Sequence, residues 1–257
     1  MAQGLLQQWE AYAPEHHDTW HRLYERQVGT LSDKASPVYL DSLRAMSKSL
    51  TSDSVPRIEA MEAQLQASTG WSLTVVPGLI PVEDFFELLA SKRFCTSTWV
   101  RRPDQLDYIE EPDMFHDTFG HIPPLMNADF ASFMHRFGEI GAALVKAGEE
   151  EAVLGLQRLY WYFVEFGFVR GADNEPQLLG AGIMSSYGET NHAWDLKDTL
   201  RPFDLEKVMD TPFRTDVIQT KYFTVDDVVQ LRNDLDSWFN TYNLKGCLLY
   251  TSPSPRD

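Results

Sequence analysis

The sequence predicts a mainly α-helical chain with a few short β-strands, folded as a single domain. Three observations predict it. Apolar residues recur at three- and four-residue spacing through most of the chain. Strand-like runs are few and short. No Pro/Ser-rich linker divides the 257 residues, and a 43% apolar share is ample for one core.

The elements follow in order. "PEHHDTWHRLYERQVG" opens with Pro14, well placed in a first helical turn, and is expected to stop at Gly29. "SPVYLDSLRAMSKSL" and "VPRIEAMEAQLQASTG" read as two more helices, and "IPVEDFFELLASKRF" as a fourth. The clearest helix spans about Asp129 to Lys146, with Phe130, Phe133, Met134, Phe137, Gly141 and Leu144 on one stripe and Gly148 as its stop. "EEEAVLGLQRLYWYFVEFG" follows as a helix whose leading acids, Glu149–Glu151, suit the positive end of the dipole. Strands are expected in "WSLTVV", in parts of "PQLLGAGIMSSYG" and in "KYFTV"; the final helix is expected to follow Asp226 as N-cap. "CLLYTSPSPRD" differs from everything before it. Residues 247–257 are expected to be an appended, non-native end or an ordinary disordered tail, which leaves 1–246 as the domain.

Charge narrows the function classes. The 38 carboxylates outnumber the 22 Lys and Arg, for a net charge of −16. Phosphate backbones need clustered cations, so no nucleic-acid partner is expected. No run approaches the roughly 18 apolar residues of a membrane helix, so no membrane partner is expected. "MAQGLLQQWEAY" lacks a basic start and a long apolar run, and Cys95 and Cys247 alone make no disulfide framework. The expectation is a cytoplasmic protein.

The candidate chemistry sits in "EPDMFHDTFGHIPPL". Residues five apart differ by about 140° at about 100° per residue, so His116 and His121 cannot share a face of a regular helix. A zinc-protease pair would need spacing four. Gly120 and the following Pro123 and Pro124 suggest a break after His116 that turns both rings toward one point. Alone, the pair reads more readily as two structural histidines. A third residue shifts the balance: Glu165 is the only charge in the apolar, aromatic run "YWYFVEFG". Left unpaired there, a carboxylate would pay a heavy desolvation cost. Two imidazoles and a carboxylate suit ferrous iron with open positions for dioxygen, although zinc hydrolases use the same ligand types.

"EPDMFHDTFGH", "YWYFVEFG" and "GAGIMSSYGE" resemble the catalytic core of the pterin-dependent aromatic amino acid hydroxylases, and among them the compact bacterial phenylalanine 4-monooxygenases. The opening "YAPEHHDTWHRLYERQ" is similar to that group's N-terminal helix, and the likeness runs from about Ala11 to Phe239. The resemblance implies iron(II) held by His116, His121 and Glu165. It implies a tetrahydropterin, in life tetrahydrobiopterin or a relative, near Gly78, Leu79 and Ile80 and stacked on Phe85. It implies an amino acid substrate whose carboxylate meets Arg101, with Arg102 next to it as the alternative and Asp113 as a brace. Pro112, Trp161 and Phe166 would wall the aromatic ring with His116. Ser185 and Ser186 match substrate-side positions, and Glu189 would orient its neighbours. Asp117 and Tyr160 join Glu165 as the catalytic set, although many relatives carry glutamate at the position of Asp117.

The implied activity is ring hydroxylation with dioxygen, most simply phenylalanine to tyrosine, by a monomer. Tryptophan hydroxylation, a zinc hydrolase on the same ligands and a non-catalytic binder of aromatic amino acid or pterin are the alternatives.

Overall fold

Three α-helices precede the first strand along the chain. The computed structural model describes residues 5–250 apart from 108 and 110. Helix α1 (Pro14–Leu31), α2 (Pro37–Ala45) and α3 (Ile58–Ser68) lead into a two-stranded parallel pair, β1 (Ser72–Val75) and β2 (Arg93–Thr96), bridged by α4 (Val82–Ala90). Helix α1 continues two residues past Gly29. That glycine has no positive φ and does not end the helix.

Helix α5 (Ala128–Ala147) is the spine. Asn127 Oδ1 accepts from Asp129 N and Phe130 N at one end, and Gly148 adopts φ 75° at the other. Its stripe of Phe130, Phe133, Met134, Phe137, Gly141 and Leu144 is buried, and α4 packs along it. At Gly141 an added Cβ would lie 2.0 Å from the Phe86 ring, so only glycine lets α4 approach this closely.

Beyond α5, α6 (Glu150–Leu159) runs into a π-helix (Tyr160–Glu165), so the single helix expected over 149–167 changes pitch. A second sheet has the order β4-β3-β6-β5. Strand β3 (Phe168–Arg170) pairs antiparallel with β4 (Pro176–Leu178) and parallel with β6 (Phe223–Val225), which pairs parallel with β5 (Arg201–Pro202). Only the start of "PQLLGAGIMSSYG" is strand. The rest forms α7 (Ala181–Met184) and begins α8 (Tyr187–Asp195). Helix α9 (Leu205–Asp210) packs on α6, and α10 (Val228–Tyr250) packs on α5.

The N-cap of α10 is Asp227, whose Oδ1 accepts from Val229 N and Gln230 N, while Asp226 pairs with Arg170 at 2.6 Å. Helix α10 passes residue 247, and residues 251–257 of the expected tail lie outside the described residues. One continuous core includes Trp20, Tyr39, Phe115, Phe119, Phe133 and Phe163. Among the described residues no helix is long and apolar enough to cross a membrane.

Candidate metal centre and its two cavities

Two π-helices bring the ligands together. The first spans His116–His121 and the second Tyr160–Glu165. A π-helix bonds residue i to i+5, so residues five apart stack on one face. The spacing that forbids a shared face in an α-helix is therefore the spacing this coil requires. The break expected between the histidines does not occur. Gly120 keeps negative φ, and its role is close approach: an added Cβ would meet Ala181 O at 2.8 Å, so α7 lies directly on the coil. Pro123 and Pro124 open the short 3-10 turn Pro123–Met126 that follows.

His121 Nε2 lies 3.1 Å from Glu165 Oε1 and 3.1 Å from His116 Nε2, and His116 Nε2 lies 3.7 Å from Glu165 Oε2. Ser185 supports the arrangement. Its hydroxyl donates to Ala181 O at 2.8 Å, so it accepts from His116 Nδ1, also at 2.8 Å. That assigns the proton to Nδ1 and leaves the Nε2 lone pair facing the centre. Burial lowers the His116 pKa from 6.5 to about 4, keeping the ring neutral. Burial pushes the Glu165 carboxyl up, but the facing His121 and His116 outweigh it and hold the group below its ordinary value. Three potential ligand atoms thus converge within 4.8 Å of one another. A cation satisfies them. At metal–ligand distances of about 2.1 Å, donors lie about 3.0 Å apart in an octahedron and about 3.4 Å in a tetrahedron. The observed spacing accommodates either, so the residues fit an iron ion and equally a zinc ion.

Two cavities meet at this centre. The first, about 570 Å³, is lined by Gly78, Leu79, Ile80, Phe85, Asp117, His121 and Tyr160 among others. The second, about 870 Å³, is lined by Arg101, Phe166, Ser185, Ser186, Glu189 and the segment Thr215–Gln219 among others. Leu79, Pro112, His116, Trp161 and Glu165 belong to both walls.

In the first cavity Phe85 meets Tyr160 edge to face at 5.2 Å. Gly78 faces open space, with nothing within 4 Å of where a Cβ would sit. His121 packs against Phe94 at 4.9 Å and against Tyr160 at 6.0 Å. Burial raises the Asp117 carboxyl to about 6, against the opposing donor Ser97 N, 2.7 Å from Oδ2. Burial, and then the Glu165 charge, raises the Tyr160 phenol well above its usual value.

At the second cavity the two neighbouring arginines are placed differently. Arg101 is buried and grips Asp113 through two bonds, Nε to Oδ2 at 2.9 Å and Nη2 to Oδ1 at 2.8 Å. Arg102 is exposed and paired with Asp104 at 3.0 Å. Asp113 Oδ1 also accepts from His116 N at 3.0 Å, joining the arginine to the ligand coil. Ser186 Oγ accepts from Glu189 N and so caps α8. Glu189 in turn accepts from Gln219 N at 3.4 Å and from the Tyr222 hydroxyl at 3.2 Å. Apart from the alternative Arg102, every expected site residue therefore lies at the centre, on one of the two cavities, or, for Asp113, next to Arg101 behind them. Gln219, Phe213 and Ser97 were missed. None stands in a periodic or charged context that would single it out.

A helical scaffold with a two-histidine, one-carboxylate centre shared by two cavities defines a non-haem metalloenzyme that handles two organic molecules. The chain belongs to the biopterin-dependent aromatic amino acid hydroxylases, whose family model matches residues 8–252. It is 43% identical over 221 residues to the phenylalanine-4-hydroxylase of Ralstonia nicotianae, covering 86% of this chain and 69% of that one. Phenylalanine hydroxylase of Chromobacterium violaceum with bound iron(III) superposes with a TM-score of 0.86 at 38% identity, over 98% of this chain and 89% of that one. The same enzyme with iron(III) and 7,8-dihydrobiopterin gives 0.83 at 37% identity, over 94% and 86%.

Proposed function

We propose that the chain is a monooxygenase that hydroxylates the ring of an aromatic amino acid, phenylalanine to tyrosine, using dioxygen, iron(II) and a tetrahydropterin. The observation that carries the reading is one three-donor centre forming part of the wall of two cavities of different character. Iron and tetrahydropterin, when bound, supply the electrons and oxygen activation that side chains lack.

The chain's own residues do the rest. His116, His121 and Glu165 hold the ion. Phe85 would offer a ring face to the pterin, Gly78, Leu79 and Ile80 would approach its edge, and Asp117 and Tyr160 would supply a carboxyl and a phenol, all six lining the same cavity. Arg101, held by Asp113, meets the substrate carboxylate, because a guanidinium recognises carboxylates through paired N–H groups. Pro112, Trp161 and Phe166 wall the aromatic ring, and Ser185 and Ser186 line the same side. Holding ring, pterin and ion together while excluding water is the protein's contribution to rate. The reading takes the working form as a cytoplasmic monomer, supported by a site built from one chain.

The test is product analysis with iron-loaded protein, a reduced pterin, and phenylalanine or tryptophan in turn. Tyrosine formation and oxygen uptake should require both pterin and phenylalanine, and zinc should not replace iron. Glu165→Ala should lose most iron and product while its circular dichroism stays that of the parent. A variant with normal iron content and turnover, or a parent active only as a zinc hydrolase, would contradict the reading.

A further inference from the structure

The outer wall of the second cavity is an irregular segment between α9 and β6, residues 211–222. Its Val217 and Ile218 are nearly half exposed, yet Thr215 through Gln219 line the cavity. Such a segment needs something to fix it, and Gln219, 6% exposed, is placed to do so. Its Nε2 donates to Arg214 O at 2.9 Å and to Val217 O at 3.2 Å, folding the segment onto itself. Its Oε1 accepts from Trp161 Nε1 at 3.0 Å. Its backbone N donates to Glu189 Oε1, and its carbonyl accepts from His192 Nε2 at 2.9 Å and competes with Glu189 Oε2 for the single Tyr222 hydroxyl proton, at 3.1 Å. Both amide protons and the amide oxygen are engaged.

Trp161 is the other end of the argument. Its indole stacks on Phe213, of the same segment, at 4.6 Å and 19°, and touches Phe166 at 4.7 Å. Stacking fixes the plane of the indole but not which way round it lies, since a half-turn about Cβ–Cγ keeps the plane and carries the N–H to the other edge. An indole N–H only donates, and a part-buried donor is costly to leave unpaired, so its one acceptor fixes the remaining freedom. Trp161 lines both cavities and lies four residues before Glu165 on the same coil. We infer that Gln219 is a positioning residue for the aromatic substrate: folded in place by its own segment, it acts on the cavity that receives the ring by orienting the Trp161 indole. This inference rests on the hydroxylase reading above.

The test compares Gln219→Met, which keeps length and loses the amide, with Trp161→Phe and the double variant in iron-loaded enzyme. Gln219→Met should raise the phenylalanine KM roughly ten-fold with a smaller loss in kcat, and should leave the pterin KM within about two-fold. Calorimetry of phenylalanine binding should show the same weakening without turnover. Because Gln219 acts through Trp161, adding Gln219→Met to Trp161→Phe should change the KM by less than about two-fold. Multiplying effects in the double variant, or an unchanged phenylalanine KM in Gln219→Met, overturns the inference. Should Gln219→Met not fold, Gln219→Asn withdraws the amide by one methylene and should raise the KM about three-fold; no rise there is equally adverse. A parent that binds phenylalanine but makes no tyrosine would sink the hydroxylase reading alone, and the calorimetric comparison would still decide this one.

Discussion

Arg101 and Asp113 are both removed from water and satisfied by each other through two N–H···O bonds, a third coming from the Arg101 backbone N at 3.0 Å. Breaking one partner of such a pair strands the other charge. Asp113→Asn should therefore cost about 3–5 kcal/mol of stability by denaturant titration, whereas losing the exposed Arg102–Asp104 pair should change stability little. An equal loss on removing Asp104 would refute that contrast. The two neighbouring arginines could not be ranked from the residues alone, because side-chain type is identical and burial is set by distant chain. Glu165 was easier. A lone carboxylate among aromatic residues announces a partner by its desolvation cost alone. Gln219 had no such mark, since a glutamine near the surface is unremarkable until its three bonds are seen.

Among elements, the α5 boundaries were read to within a residue from its apolar stripe and from Gly148, which takes left-handed backbone; the Asn127 cap at the other end was not read. Strands β2, β3 and β5 and helix α9 escaped notice, being two to six residues long and too short for any period to register. The π-helices escaped for another reason. Their apolar pattern is that of an α-helix with one residue added, so local reading sees a continuous helix over 149–167 and a break at 116–121. Only the need for three donors to meet discloses the wider coil. The α4–α5 contact gives a clean test. Gly141→Ala pushes a methyl into the Phe86 ring and should destabilise by about 1–3 kcal/mol, read as a lower Tm. Gly148→Ala should also destabilise, because its φ of 75° strains any side chain, but with no packing clash. A Gly141→Ala protein as stable as the parent would mean that α4 can back away freely.

For the molecule as a whole, protonation sets the alkaline limit. Burial pushes the Cys95 thiol from 9.0 up to about 12, and raises the Tyr39 and Tyr160 phenols well above 10.0. The folded chain keeps these protons at pH values where the unfolded chain releases them. Their effect on stability is constant below about pH 9, and stability falls as pH rises from there toward about 12. Tm measured from pH 7 to 11 should decline above about pH 9, and Cys95→Ser should soften the start of that decline. A flat profile would contradict the assignment.

The shared partition between the cavities has a consequence for inhibition. Pro112, Trp161 and Leu79 are common to the walls of both compartments, and Leu79 is itself 82% exposed. A two-headed compound, a flat heterocycle tethered to an amino acid by a short spacer, would occupy both rooms across the same doorway. Such a tethered molecule would gain from effective concentration at the second site, and the best spacer length would measure the thickness of the wall.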